Sequence, residues 1–368
     1  MPYEIDFIGV NEKTRNADAI AFRWKAEAGG YKIGIYDGGL QIYGEEMKSI
    51  LEEYYFSSID SIKTIDFVIV SHSDQDHTSG LKTILENFEV KDLYMNRPWV
   101  HVKDLIDNKN HGNITENSLE RRLKEKYKYI AELEDIATER DIPVHDVFQG
   151  DIIENKLTVL SPTKDQYIEL LVESSKTPLK KDDAETSNSV YHKTVSEFCE
   201  SIKHLIETWF DEKLKEDVET SEENEMSIIL LGEMEEESFL LTGDAGIKGL
   251  NTAITYAKTI EKPLIDVVDF IQIPHHGGRY NVSSSILNGL IGYPVAKNMI
   301  VNKIAYVSAA KDSDHPMQMV VNAFIRRGVE VYKTSGQTIC HHKGAMPARN
   351  GWTDIAKLSF ESRVEEWE

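Results

Sequence analysis

The stretch 71–80, SHSDQDHTSG, places His72, Asp74, Asp76 and His77 within six residues. Imidazole and carboxylate donors in one loop suit borderline or hard divalent ions such as Zn²⁺, Mn²⁺ or Fe²⁺. Alternation at two-residue steps lets His72 and Asp74 face one ion while Asp76 and His77 reach a second. A single loop leaves each ion short of ligands, so further donors must come from elsewhere in the chain. Asp244 in LTGD and the pair His275-His276 in IPHHGG are placed to supply them. A carboxylate such as Asp244 can bridge two cations and offset their repulsion. Taken singly, each motif has an ordinary explanation: a histidine after a strand is usually a surface residue, and an aspartate after Thr-Gly usually makes a turn. The conjunction of all three, in this order and each just beyond an apolar strand, points to a metal centre.

These loops need strands to deliver them. Tyr3–Val10, Asp18–Trp24 and Lys32–Tyr36 read as short strands, the third closed by Gly38-Gly39. Thr64–Val70 (TIDFVIV) is a buried strand leading straight into the His/Asp loop. Ser227–Leu231 and Ser238–Thr242 read as a hairpin, Val267–Ile273, Ile304–Ser308 and Glu330–Lys333 as further strands. Helical spacing of apolar residues marks Gly44–Phe56, Leu81–Phe88, Thr252–Thr259 and Met317–Arg327, and predicts one long amphipathic helix over Asn117–Arg140. Residues 163–223 interrupt this β/α pattern with a helix around Val195–Phe210 and an acidic run over Asp211–Glu225. They read as an inserted helical and acidic segment, either a solvated spacer or a surface for a protein partner. The whole of 1–368 otherwise reads as one domain.

Composition narrows the function classes. The chain has 368 residues, 41 Lys and Arg against 63 Asp and Glu, and a formal net charge of −22. That excludes a basic coat for non-specific nucleic-acid binding, which needs positive charge, but not a nuclease whose metal ions supply charge locally. No apolar run approaches the roughly 20 residues that span a bilayer, and MPYEIDFIGV lacks the pattern of a signal peptide. Two cysteines, Cys199 and Cys340, make no disulfide framework. A cytoplasmic protein without a membrane segment is the expectation.

The His/Asp loop resembles the signature of the metallo-β-lactamase fold, whose usual form is HxHxDH. Here Asp74 stands at the second histidine, a variant found in the hydrolase domain of the DNA-uptake competence protein ComEC and its stand-alone relatives. Further stretches agree: DAIAFR and YDGG, QGDIIENKLTVLSP, NEMSIIL with SFLLTGDA, IDVVDFIQIPHHGG, and YVSAAKDSDHP with VEVYKTSGQ. The resemblance implies an αββα sandwich with two divalent metal ions, Zn or Mn, at one edge. It implies a metallohydrolase in which a metal-activated hydroxide attacks, and by the ComEC likeness a phosphodiesterase or nuclease acting on DNA or RNA. His72, Asp74, Asp76, His77, Asp244 and His275 are the implied ligands, Asp76 also taking part in catalysis. His276 is either the ligand in place of His275 or an acid near the leaving group. Asp37, in YDGG, matches a position that orients a ligand histidine through a hydrogen bond. Lys311 and His315 match the loop near the substrate.

The chain departs from the pattern in two places. No third-motif histidine is identifiable between the first loop and TGD; Asn224 or Ser227 takes that space, Ser227 as a supporting residue. The first-strand motif, usually DVGQGDA, reads GVNEKTRNADA. Arg97, Lys103, Arg279 and Lys311 are the candidate cations of a substrate cleft. Two other functions fit the same residues: hydrolysis of a small ester or phosphoester, and a non-catalytic component of a multi-protein, defence-type assembly docked through residues 163–223.

Overall fold

A computed structural model describes residues 1–27, 29–56, 62–107, 114–178 and 204–367. In chain order its strands are β1 (Tyr3–Phe7), β2 (Ala19–Lys25), β3 (Tyr31–Gly38), β4 (Thr64–Ile69), β5 (Glu89–Tyr94), β6 (Val144–His145), β7 (Ile152–Ile153), β8 (Leu157–Ser161), β9 (His204–Ile206), β10 (Ile229–Glu233), β11 (Ser238–Leu241), β12 (Phe270–Gln272), β13 (Ile304–Val307), β14 (Glu330–Lys333), β15 (Ile339–Lys343) and β16 (Arg363–Glu365). They form two seven-stranded mixed sheets, ordered β15-β1-β2-β3-β4-β5-β6 and β14-β13-β12-β11-β10-β8-β7, and a small pair β16-β9. Strands β3 to β6 run parallel, as do β11 to β14.

Side chains alternate across a strand, so a strand buried on both faces must be apolar on both. In β2, Ile20, Phe22 and Trp24 enter the layer between the sheets while Ala19 and Ala21 face the helices. The inter-sheet layer is aromatic: Phe22 meets Phe239 with ring centroids 5.7 Å apart, and Phe7 meets Phe270 at 5.9 Å and Tyr306 at 5.5 Å, all edge to face. Helices 41–50, 81–87, 116–126 and 128–139 cover the outer face of the first sheet, and helices 247–259, 284–290 and 318–326 that of the second. The layers are therefore α, β, β, α, the sandwich that the motifs implied.

Two expectations need correction. The single helix expected over Asn117–Arg140 is two, Glu116–Lys126 and Lys128–Glu139, broken where Tyr127 leaves helical geometry (φ −97°, ψ 42°). The break lets Tyr127 bury its ring and bring its hydroxyl to Ser174, Thr177 and Glu223 at 3.2–3.3 Å. Nor do the flanks of the insertion form a solvated spacer. Helix 164–173 buries Tyr167, Ile168, Leu170 and Leu171. On the far side β9 pairs with β16, and Glu207, fully buried, accepts from Arg326 at 3.0 Å and from Asn322. Within the acidic run Glu212 holds Arg327 at 2.7 Å. Those carboxylates are counter-ions for buried arginines, which periodicity cannot reveal. Residues 179–203, with Cys199 and the first part of the helix expected over Val195–Phe210, lie outside the described residues; the described remainder is not helical, His204–Ile206 forming strand β9 because it pairs with β16.

Arg326 and Glu207 are both essentially without solvent contact. Removing one partner strands the other charge, at a cost of about 3–5 kcal/mol. Glu207→Ala is expected to lower the urea unfolding midpoint accordingly. An unchanged midpoint would show that the segment is not docked on helix 318–326.

Candidate metal centre

The candidate site lies at the seam where strand ends of both sheets meet. From the first sheet, β3 carries Asp37, next to its final residue Gly38, in a left-handed conformation (φ 61°) that aspartate tolerates better than most residues. Its Oδ1 accepts from the Ser71 backbone N–H at 2.7 Å and its Oδ2 is 2.8 Å from His77 Nδ1. The chain can close this tightly because Gly80 lies against Gly38: a Cβ at Gly80 would stand 1.9 Å from the Gly38 carbonyl oxygen. β4 delivers His72, and the turn 75–78 carries Asp76 and His77. Asp18, at the entry to β2, donates its backbone N–H to the Asp76 carbonyl at 3.1 Å.

From the second sheet, β11 runs out through Gly243 to Asp244, whose backbone N–H reaches Ser227 Oγ at 3.2 Å and whose carbonyl accepts from Asn281 at 2.8 Å. β12 runs out to His275 and His276, both left-handed (φ 48° and 54°). Successive non-glycine residues in that region are strained, and such strain clusters at functional sites.

Four side chains converge. Donor atoms of Asp18, His77, Asp244 and His276 all lie within 4.8 Å of one another, and all four residues are buried. His77 Nε2 is 3.1 Å from Asp244 Oδ1. Three histidines each keep Nδ1 occupied: His77 with Asp37, His276 with the Ser308 carbonyl at 3.2 Å, His72 with Ser71 Oγ at 3.0 Å. The Asp37 carboxylate and the Ser308 carbonyl can only accept, so they place a ring proton on Nδ1 of His77 and His276 and turn Nε2 inward, the arrangement that orients a metal-ligating imidazole. The open atoms have no hydrogen-bond partner: Nε2 of His72, His77 and His276, both oxygens of Asp18, and Oδ1 of Asp244. Buried polar atoms are otherwise almost always paired. The donor set, mixed imidazole and carboxylate at this spacing, suits a divalent ion such as Zn²⁺ or Mn²⁺.

The electrostatics show the same demand for positive charge. Burial raises the Asp18 carboxyl. Burial would lower His77, but Asp244 and Asp37 on either side raise it well above the usual range. His276 is likewise opposed by burial, yet Asp18, Asp76 and Asp244 push it up to about 9. Burial would raise Asp244; His275 and His77 hold it well below the ordinary carboxylate value.

The remaining donors gather around the other oxygen of Asp244. His275 Nδ1 is 2.5 Å from Oδ2, and His72 Nε2 is 4.0 Å from it and 3.9 Å from Asp74 Oδ2. Asp76 sits at the rim, its Oδ2 3.6 Å from His276 Nε2. Ser227 Oγ is 3.5 Å from His72 Nδ1, and Asn224 Nδ2 is 3.3 Å from His275 Nδ1. Both histidines of the pair are thus present, His276 in the buried quartet and His275, 35% exposed, on the open side.

Lys311 and His315 stand apart. The loop carrying them packs on Gly277 through Pro316, but no hydrogen bond or ion pair joins either side chain to the quartet among the described residues. Arg97 is held by Asp146 and Glu134, and Arg279 lies against Trp367 and the Glu366 carbonyl, so neither is a free cleft cation. Sequence reading missed Asp18. Its one signal was a carboxylate at the mouth of a strand buried on both faces, inside the altered first-strand motif. It also missed Lys176, whose Nζ lies 2.6 Å from Asp74 Oδ1.

No protein-family model matches the chain, and no curated protein matches it. Among solved structures it is similar to Zn²⁺-bound PqqB from Methylobacterium extorquens, at 10% identity over 92% of this chain and 99% of that one, with a TM-score of 0.39. It is similar to AidC, a dizinc quorum-quenching lactonase, at 12% identity over 68% and 69%, with a TM-score of 0.29. A long form RNase Z from yeast gives 11% identity over 92% of this chain and 41% of that one, with a TM-score of 0.34.

Loss of a carboxylate that orients a ligand histidine typically lowers metal affinity about 10- to 100-fold. Asp37→Ala is expected to weaken Zn²⁺ binding by that factor in calorimetric titration while leaving the fold intact. Unchanged affinity would mean that His77 is not a ligand.

Proposed function

We propose that the chain is a metal-dependent hydrolase, most simply a phosphodiesterase, built on the Asp18, His77, Asp244 and His276 quartet. One observation carries the reading: four buried donors from both sheets face one point with their free atoms unpaired. A bound divalent ion would supply Lewis acidity and lower the pKa of water from 15.7 towards about 7.

The protein's own residues supply the rest. Asp37 and the Ser308 carbonyl fix the rings of His77 and His276. Asp244 turns one oxygen to the quartet and the other to His275. Asp76 is suited to take a proton from the attacking water. Burial would raise its carboxyl, but the neighbouring imidazoles of His276, 3.6 Å away, and His77 outweigh that and hold it below the ordinary carboxylate range at the rim. His276 is committed to the quartet, so delivery of a proton to the leaving group falls to His275 on the open side.

The phosphodiester class, with DNA or RNA as substrate, is supported by the motif resemblance to the ComEC-type hydrolase domain. A second reading, a small ester or phosphoester, is favoured by one feature: Arg97 and Arg279 are engaged, and the net charge of −22 gives no long-range attraction for a polyanion.

The test is a hydrolysis panel on protein of measured metal content: single- and double-stranded DNA, RNA, bis-p-nitrophenyl phosphate and simple carboxylate esters, each with and without chelator. Cleavage of phosphodiesters that chelator abolishes is expected. Cleavage of esters alone would select the second reading, and inactivity of fully loaded protein on every substrate would contradict both. Asp244→Ala is expected to lose bound metal and to lower any activity by at least about 100-fold, equivalent to about 2.7 kcal/mol.

A further inference from the structure

The two halves of the site are not equivalent. The quartet is the only set of three or more donors, among the described residues, that closes to within 4.8 Å. On the other side His72 and His275 approach Asp244 Oδ2, and Asp74 lies 3.9 Å from His72, but these donors do not close on a common point within that distance. In the quartet, both Asp18 oxygens and one Asp244 oxygen have no hydrogen-bond partner. On the other side, the additional carboxylate, Asp74, already holds a cation: Lys176 Nζ lies 2.6 Å from its Oδ1 and 3.9 Å from Glu223 Oε2.

Lys176 is not a loose surface lysine that has folded onto the nearest acid. Its turn is anchored by buried contacts. Ser174 Oγ donates to Glu223 at 2.5 Å and accepts from the Lys176 backbone N–H at 3.0 Å, and Thr177 Oγ1 is 3.2 Å from the Tyr127 hydroxyl. Ser174, Thr177, Tyr127 and Glu223 are all buried. The helix break at Tyr127 and the turn at 174–177 therefore aim this ammonium at Asp74. An ammonium there supplies the positive charge that the carboxylate needs and repels a divalent ion approaching the same oxygens.

We propose that Lys176 is a built-in cation in place of a second metal ion, so that the site binds one divalent ion tightly, in the quartet. The proposal rests on the metal-centre reading above and deepens it. It also makes residues 174–178, within the inserted segment, part of the site's charge balance.

The experiment is elemental analysis of full-length protein equilibrated by dialysis against buffered free Zn²⁺, with calorimetric titration of the same samples. Wild type is expected to hold one ion per chain. Lys176→Met, which keeps the length of the side chain and removes its charge, is expected to take up a second. Lys176→Arg is expected to stay at one. Asp74→Asn is expected to keep one, because the quartet does not need Asp74. Two tightly held ions in wild type, one in Lys176→Met, or none in Asp74→Asn would each overturn the proposal while leaving a metal centre in place. No ion in any of the four proteins would overturn the metal-centre reading itself. A melting curve for each variant separates loss of metal from loss of fold.

Discussion

Six buried polar atoms, from Asp18, His72, His77, Asp244 and His276, face one another across the seam between two sheets without a hydrogen-bond partner. Leaving one such atom unpaired costs about 1–3 kcal/mol, so a fold that keeps six together requires something else to meet them. A divalent cation among Asp18, His77, Asp244 and His276 answers five of them at once, because imidazole nitrogen and carboxylate oxygen are both its donors, and His72 Nε2 lies beside it, 4.0 Å from Asp244 Oδ2. Much of the architecture around the site is explained by the need to hold these atoms in place before any cation arrives.

The seam is what makes the holding possible. Asp18, Asp37, His72 and His77 belong to the first sheet; Asp244, His275 and His276 belong to the second. Their mutual spacing is therefore set by how the sheets sit on each other, and that is fixed by interlocking aromatic rings, Phe22 on Phe239 and Phe7 on Phe270 and Tyr306. Close packing transmits such a register rigidly. Local devices finish the adjustment: the approach of Gly80 to Gly38, and left-handed backbone at Asp37, His275 and His276. Each raises the energy of a loop, and each turns a donor toward the same point.

Contiguous chemistry was legible in the sequence. The HSDQDH loop, LTGD and IPHHGG carry their ligand types within a few residues, and an apolar strand before each fixes where it must emerge. The layered architecture was implied by the family resemblance those motifs carry, and the strands and the helices between them agreed with it. What depended on tertiary closure was not legible. Asp18 becomes a donor only because the entry to β2 lies against the Asp76 carbonyl. Tyr127 breaks a helix that periodicity reads as continuous, because its hydroxyl is worth more among Ser174, Thr177 and Glu223 than in solvent. Glu207 and Glu212 look like solvated acids in a charged run and prove to be the partners of buried Arg326 and Arg327. Charge in a sequence does not say which charges will meet.

The central claim is that one divalent cation belongs among Asp18, His77, Asp244 and His276. Anomalous diffraction from crystals grown with Zn²⁺ or Mn²⁺, collected at the metal edge, locates such an ion without reference to activity. The account predicts a strong peak roughly 2 Å from donor atoms of these four residues. A peak confined to His72, Asp74 and His275, or none at the seam in fully metal-equilibrated crystals, would contradict it.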